Sequence, residues 1–188
     1  MMQVAVYGGS FDPPHVGHVL AAEYVLRAGG FDRVVVVPVF AHAFGKTLAP
    51  FEHRVAMTRL AMPHLERVEV STIEEELGAP SLTLRTLAAL ISRHPDWACR
   101  LVVGADVLAE KHRWHAWDEV VRLAPLFLLG RAGVEDAESP EAVLPEVSST
   151  EVRAALSHRT GSARDDATLA HLVPRAVLEY IDAKGLYR

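Results

Sequence analysis

The sequence holds one cysteine, Cys99, in 188 residues. A lone thiol cannot close an intramolecular disulfide and has no second thiol with which to build a zinc site, so a reducing compartment and a small core residue are the expectation. Nor is there an excess of basic charge: 19 Lys and Arg stand against 24 Asp and Glu, a formal net charge of -5. That balance gives no broad cationic face, which excludes sequence-independent binding of duplex nucleic acid as the main activity while leaving room for local cationic pockets. No stretch approaches the roughly 18 uninterrupted apolar residues of a membrane span, and no basic leader precedes the first apolar run. A soluble, cytoplasmic protein without a membrane partner is expected. A G-x-G-x-x-G after the first apolar run is also missing, which argues against a dinucleotide dehydrogenase.

What is present reads as a single domain spanning 1–188. Half the residues are hydrophobic and 23% are charged, which is enough apolar surface for a core and too little charge for disorder. Valine-rich runs at Val4–Tyr7, Val34–Val37, Val68–Val70, Leu101–Val103 and Leu126–Leu129 are strand candidates. Helix-period segments at Val16–Arg27, Phe51–Met62, Leu82–Arg93 and Trp114–Leu123 lie between them. Strands apolar on both faces, alternating with amphipathic helices, predict an α/β fold: a Rossmann-like, doubly wound parallel sheet with helices on both sides. The functional crevice of such a sheet lies beyond the carboxyl ends of its strands. Glu151–His158 and Pro174–Ala183 complete the chain as a helical C-terminal end, the second helix stopping at Gly185, and a short strand is expected near Val143–Val147.

The first strand candidate runs into Gly8-Gly9-Ser10-Phe11-Asp12-Pro13-Pro14-His15-Val16-Gly17-His18. The glycines permit a tight turn and close approach of a ligand to the backbone. The prolines enforce an extended passage, after which a helix can begin near His15 or Val16. His15 and His18 then share one face of the first helical turn, where unpaired N–H groups and the positive end of the helix dipole favour phosphate. Two surface histidines beside a loop are the plain alternative; a zinc pair lacks further ligands nearby, so no protein metal site is expected. Farther on, Ser148 and Glu151 have the spacing of a capping box, and the same helix start carries Ser149, Thr150 and Arg153, a second potential anion site.

The first string resembles the signature of the nucleotidyltransferase superfamily, in which Gly-Gly-Ser/Thr-Phe-Asp-Pro leads into His-x-Gly-His; Ser149, Thr150 and Arg153 match its later Ser/Thr-Thr-x-x-Arg segment. The resemblance implies that Gly8, Gly9, Ser10, Phe11, His15, His18, Ser149, Thr150 and Arg153 surround ATP, with His15, His18 and Arg153 in the catalytic set. Ala79–Leu87, Gly104-Ala105-Asp106, Arg113–Trp117 and the ending Val177–Tyr187 resemble bacterial nicotinate-nucleotide adenylyltransferases, so the likeness covers nearly the whole chain. It implies AMP transfer from ATP, carrying Mg²⁺, to nicotinate mononucleotide in NAD biosynthesis, with Lys46, Thr83, Trp114 and His115 on the acceptor and Ser10 on a phosphate of the acceptor or of ATP.

Gly104 and Asp106 close a strand end where a carboxylate can accept from ribose hydroxyls, although Asp106 can equally cap a helix. Trp114 is expected on the pyridine ring and Trp117 in the core. One loop departs from the family: Ala41-His42-Ala43-Phe44-Gly45-Lys46 stands where Pro-Pro-His-Lys is usual. Lys46 keeps a phosphate-directed, catalytic role in this reading, and Arg54 either orients the loop or faces solvent. A transferase acting on nicotinamide mononucleotide, phosphopantetheine or a sugar-alcohol phosphate, and a nucleotide sensor without turnover, are the alternatives. A homo-oligomer is compatible with the sequence.

Overall fold

The computed structural model describes residues 1–42, 45–130 and 144–188. Five strands, β1 (Met2–Gly9), β2 (Arg33–Pro38), β3 (Val68–Val70), β4 (Trp97–Gly104) and β5 (Leu126–Leu129), form one parallel sheet in the order β3-β2-β1-β4-β5. The chain winds outward from β1 to β3 and then crosses back to place β4 on the other side of β1. The order therefore reverses between β1 and β4, and the crevice of a doubly wound sheet opens at the carboxyl ends of those two strands.

Period-two alternation sorts the strand side chains onto two apolar faces. Val34 and Val36 join the core beneath α1 (Val16–Ala28), α2 (Phe51–Ala61), α7 (Ser149–His158), α8 (Ala167–Leu172) and α9 (Arg175–Lys184). Val35 and Val37 join the opposite core, beneath α3 (Ile73–Leu77), α4 (Thr83–Arg93) and α6 (Trp117–Leu123). Cys99 is a buried member of this second core, and burial pushes its thiol pKa up, so it stays protonated as expected of a structural cysteine. Among the described residues no helix is long and apolar enough to cross a membrane.

The structure departs from the sequence reading in several places. β4 begins at Trp97 rather than Leu101, because Met2 to Tyr7 pair in register with Trp97 to Val102 and extend the ladder. The helix expected from Trp114 starts at Trp117, since Ala116 takes a left-handed conformation (φ 51°) that resets the helix start. The short helices α3, α5 (Asp106–Ala109) and α8 carry too few turns to show a period in sequence. Of the strand expected near Val143–Val147, Leu144 forms one isolated bridge and Val143 lies outside the described residues. α9 follows Pro174 and ends at Gly185, whose φ of 64° supplies the left-handed stop.

Candidate active site

The two glycines that end β1 have different tasks, and neither makes the expected turn: both are extended and pair with Val37 and Pro38. A Cβ on Gly8 would meet no protein atom within 4 Å, so that space belongs to a cavity. A Cβ on Gly9 would come within 3.0 Å of the Phe11 ring. The turn itself is made by Phe11, with φ 48°. Its ring is 1% exposed, edge-on to Tyr7 at 5.6 Å and 4.9 Å from the His18 ring, so it supports the histidine from below. The extended passage expected through the prolines is bent, with a cis Asp12–Pro13 peptide.

His15 directly precedes α1, and its ring centroid lies 3.8 Å from that of His18. The His15 backbone N–H donates to His18 Nδ1 at 3.2 Å. Nδ1 accepts this bond, which leaves Nε2 as the nitrogen that carries the proton of a neutral ring, and His18 lines the cavity wall. Gly17 between them is required by packing: a Cβ there would lie 2.9 Å from Val147 and 3.0 Å from the His15 ring.

Val147 directly precedes the second motif, and further bonds join the two motifs. Ser148 and Glu151 form the expected capping box at α7. Ser149 Oγ donates to the Pro13 carbonyl at 3.0 Å. Since a hydroxyl has one proton, this bond leaves Ser149 Oγ with acceptor capacity only, which a phosphate oxygen cannot use. Arg153 Nη1 donates to the Asp12 carbonyl at 2.6 Å and lies 4.0 Å from the Asp12 carboxylate, while Nη2 donates to Thr150 Oγ1 at 3.2 Å. A cavity of about 610 Å³ results, lined by His15, His18, Ser149, Thr150 and Arg153, with Lys46 and Gly104 completing the wall.

A second cavity of about 480 Å³ adjoins it, and the two share Tyr7, Gly9, Ser10, Gly104 and Val107. Gly8 lies on this second wall together with Thr83, Trp114 and His115. Thr83 is the first residue of α4, and the preceding Leu82 supplies no side-chain cap, so the first-turn N–H groups are available to an anion. Trp114 packs against the second core and presents a face to the cavity. Trp117 does not fill the core as expected: the altered helix start leaves it half-buried, edge-on to Trp114 at 5.4 Å. Asp106 opens α5, but its side chain lies outside the described residues.

The atypical loop reaches this cavity through His42. Ala41 N donates to Ser81 Oγ at 3.0 Å, Ser81 N returns a bond to Ala41 O, and Phe40 N donates to buried Glu74. Burial draws the His42 pKa below 6.5, and the charges of Lys46, Arg113 and Arg54 push it the same way, so the imidazole is neutral at physiological pH. Arg113 lies on the same wall, which gives the cavity a positive edge.

Sequence reasoning left the role of Arg54 open and missed the bond between Asp12 and Tyr187 in the frame behind these walls. Arg54 is 1% exposed and donates to the carbonyls of Ser10, Ala49 and Phe40, which decides for orienting the loop over facing solvent. Burial draws its pKa down, opposed by the nearby Asp12 charge. Asp12 and Tyr187 are also joined there. Partners this far apart leave no local signal in the chain. Among the described residues no group of three or more His, Cys, Asp or Glu side chains could hold a metal ion.

Two adjoining cavities, one lined by His15, His18, Lys46 and Arg153 and the other by Trp114 and Arg113, meet at the switch point of a parallel α/β sheet, the architecture of a nucleotide-binding protein. Residues 6–155 match the cytidylyltransferase-like family. Over 190 residues the chain is 46% identical to the "Probable nicotinate-nucleotide adenylyltransferase" of Anaeromyxobacter dehalogenans strain 2CP-1, covering 99% of this chain and 97% of the relative. A relative of the same name from Myxococcus xanthus is 39% identical over 187 residues, covering 99% and 95%. The Plasmodium falciparum nicotinic acid mononucleotide adenylyltransferase, complexed with NaAD, superposes with a TM-score of 0.84 at 18% identity, covering 100% of this chain and 98% of that one, a likeness of fold. The chain belongs to the cytidylyltransferase-like family and, within it, to the nicotinate-nucleotide adenylyltransferase group.

Proposed function

We propose that the protein transfers AMP from ATP to nicotinate mononucleotide, forming nicotinate adenine dinucleotide and pyrophosphate in NAD biosynthesis. The observation that carries this reading is the wall shared by the two cavities at Gly9, Ser10 and Gly104. A triphosphate against His15, His18, Arg153 and Lys46 meets a mononucleotide stacked on Trp114 there. The mononucleotide's 5'-phosphate oxygen attacks the α-phosphorus of ATP; the bond from that phosphorus to the bridging oxygen breaks, and pyrophosphate leaves with the electron pair. The attacking oxygen is already anionic, so no protein nucleophile or base is required.

The protein's task is to bring two anions together and to neutralise the charge gathering on the leaving group. His18 Nε2–H, the Arg153 guanidinium and the Lys46 ammonium supply that stabilisation, and the open space at Gly8 lets substrate approach the backbone. The N–H groups at the start of α4 and near His115 favour a ring carboxylate over an amide, with Arg113 adding charge of the same sense. The permanently charged side chains lining the first cavity, Lys46 and Arg153, are cationic, which suits phosphates, so Mg²⁺ enters on the triphosphate as part of the substrate and offsets its charge.

Pyrophosphate release with ATP and a panel of acceptors tests the reading. Nicotinate mononucleotide should exceed the amide in kcat/KM by about tenfold or more, the value of one hydrogen bond to a charged group, and phosphopantetheine should give no turnover. Release with phosphopantetheine, or with neither pyridine mononucleotide, would overturn it.

A further inference from the structure

We infer that Tyr187, next to last in the sequence, is a positioning residue for the triphosphate site and acts through Asp12 on Arg153. The inference rests on reading the first cavity as that site. Its hydroxyl donates to Asp12 Oδ1 at 2.5 Å, and Asp12 is 1% exposed. Burial, together with the bond to Asp12 and its charge, pushes the Tyr187 pKa well above its ordinary value, so the phenol is a permanent donor.

A buried carboxylate needs donors, and the others here are weak: the Ala49 N–H stands 3.4 Å from both Asp12 oxygens. Arg153 is held differently. It bonds the Asp12 backbone carbonyl at 2.6 Å while the carboxylate stays 4.0 Å away. With Oδ1 occupied by Tyr187, Asp12 anchors the guanidinium by its main chain and does not capture it as a close ion pair. Donors of Arg153 therefore remain turned to the cavity. Loss of the hydroxyl leaves the carboxylate short of a donor, and the nearest cation is Arg153. The guanidinium closes on it and withdraws from the phosphates. Arg54, bonded to Ser10 and Ala49, is fixed and cannot make up the deficit.

Tyr187→Phe tests this against Tyr180→Phe, which removes a hydroxyl from α9, bonded to His53 Nδ1 at 2.8 Å, outside the cavity walls. ATP affinity is read by calorimetry without acceptor, and KM for both substrates by pyrophosphate release. Tyr187→Phe should weaken ATP binding about tenfold and leave the mononucleotide KM within twofold, whereas Tyr180→Phe should change neither, at equal thermal stability. In an Arg153→Ala background the effect of Tyr187→Phe should vanish, because the pair acts as one unit. Unchanged ATP affinity in Tyr187→Phe, or an equal loss with and without Arg153, would overturn the inference alone. A parent protein that binds no ATP would overturn both the inference and the reading of the cavity.

Discussion

Ser149 and Pro13, 136 positions apart in the chain, are joined by a 3.0 Å hydrogen bond from the serine hydroxyl to the proline carbonyl. That bond fastens the start of α7 to the turn after β1, so the arginine and the paired histidines face one space. Ser149→Ala should therefore act as a loosened clasp. Stability should fall by about 1 kcal/mol and kcat/KM for ATP by about fivefold. Thermal unfolding and steady-state kinetics check this. A hundredfold loss of kcat at unchanged stability would make Ser149 a direct phosphate donor instead.

His18 lines the first cavity, with its Nδ1 held by the His15 N–H. His18→Ala should keep the fold and lower kcat by about 10²- to 10³-fold, the scale for removing one preorganised transition-state donor. Circular dichroism and single-turnover kinetics measure both parts. Activity within twofold of the parent would remove His18 from the catalytic set.

Trp114 lines the second cavity and is absent from the first. Trp114→Ala should raise KM for the mononucleotide by about tenfold, in keeping with about 1 to 3 kcal/mol for a base stacked on an aromatic ring, and leave KM for ATP within twofold. Equal effects on both substrates would show that the pyridine ring does not sit there.

His42 titrates below its ordinary value of 6.5, owing to burial and then to the charges of Lys46, Arg113 and Arg54. Well above pH 6.5 the ring is neutral in both folded and unfolded chains and contributes no pH dependence. As pH falls below 6.5 the unfolded chain takes up the proton before the folded one does, so stability drops. The parent should thus lose melting temperature relative to His42→Asn between about pH 6.5 and 5, with the mononucleotide KM showing no His42-dependent step above pH 6.5. A step between pH 7 and 8 that disappears in His42→Asn would contradict the lowered value.

The strands, the long helices and the two motifs around His15 and Ser149 were legible because each is a local pattern: valine runs, i, i+3 histidines, and a capping box at Ser148 and Glu151. What was hidden depends on register or on distant partners. Phe11 carries the turn that Gly8 and Gly9 seemed suited to make, since the ladder with Val37 and Pro38 holds the glycines extended. Trp117 missed the core because one left-handed residue, Ala116, resets the helix before it. Arg54 and Tyr187 bear no motif of their own; their bonds to Ser10 and Asp12 exist only after the sheet and the C-terminal helix have assembled. The reason for Gly17 between the histidines, the approach of Val147, lies 130 residues later in the chain.

The central claim is that two cavities sharing one wall hold the two halves of one product. A crystal structure with nicotinate adenine dinucleotide bound measures this directly. The pyridine ring should lie on Trp114, the adenylyl half in the cavity of His18 and Arg153, and the bridging phosphates at Gly9 and Ser10. A dinucleotide folded wholly into either cavity, or seated away from that shared wall, would contradict it.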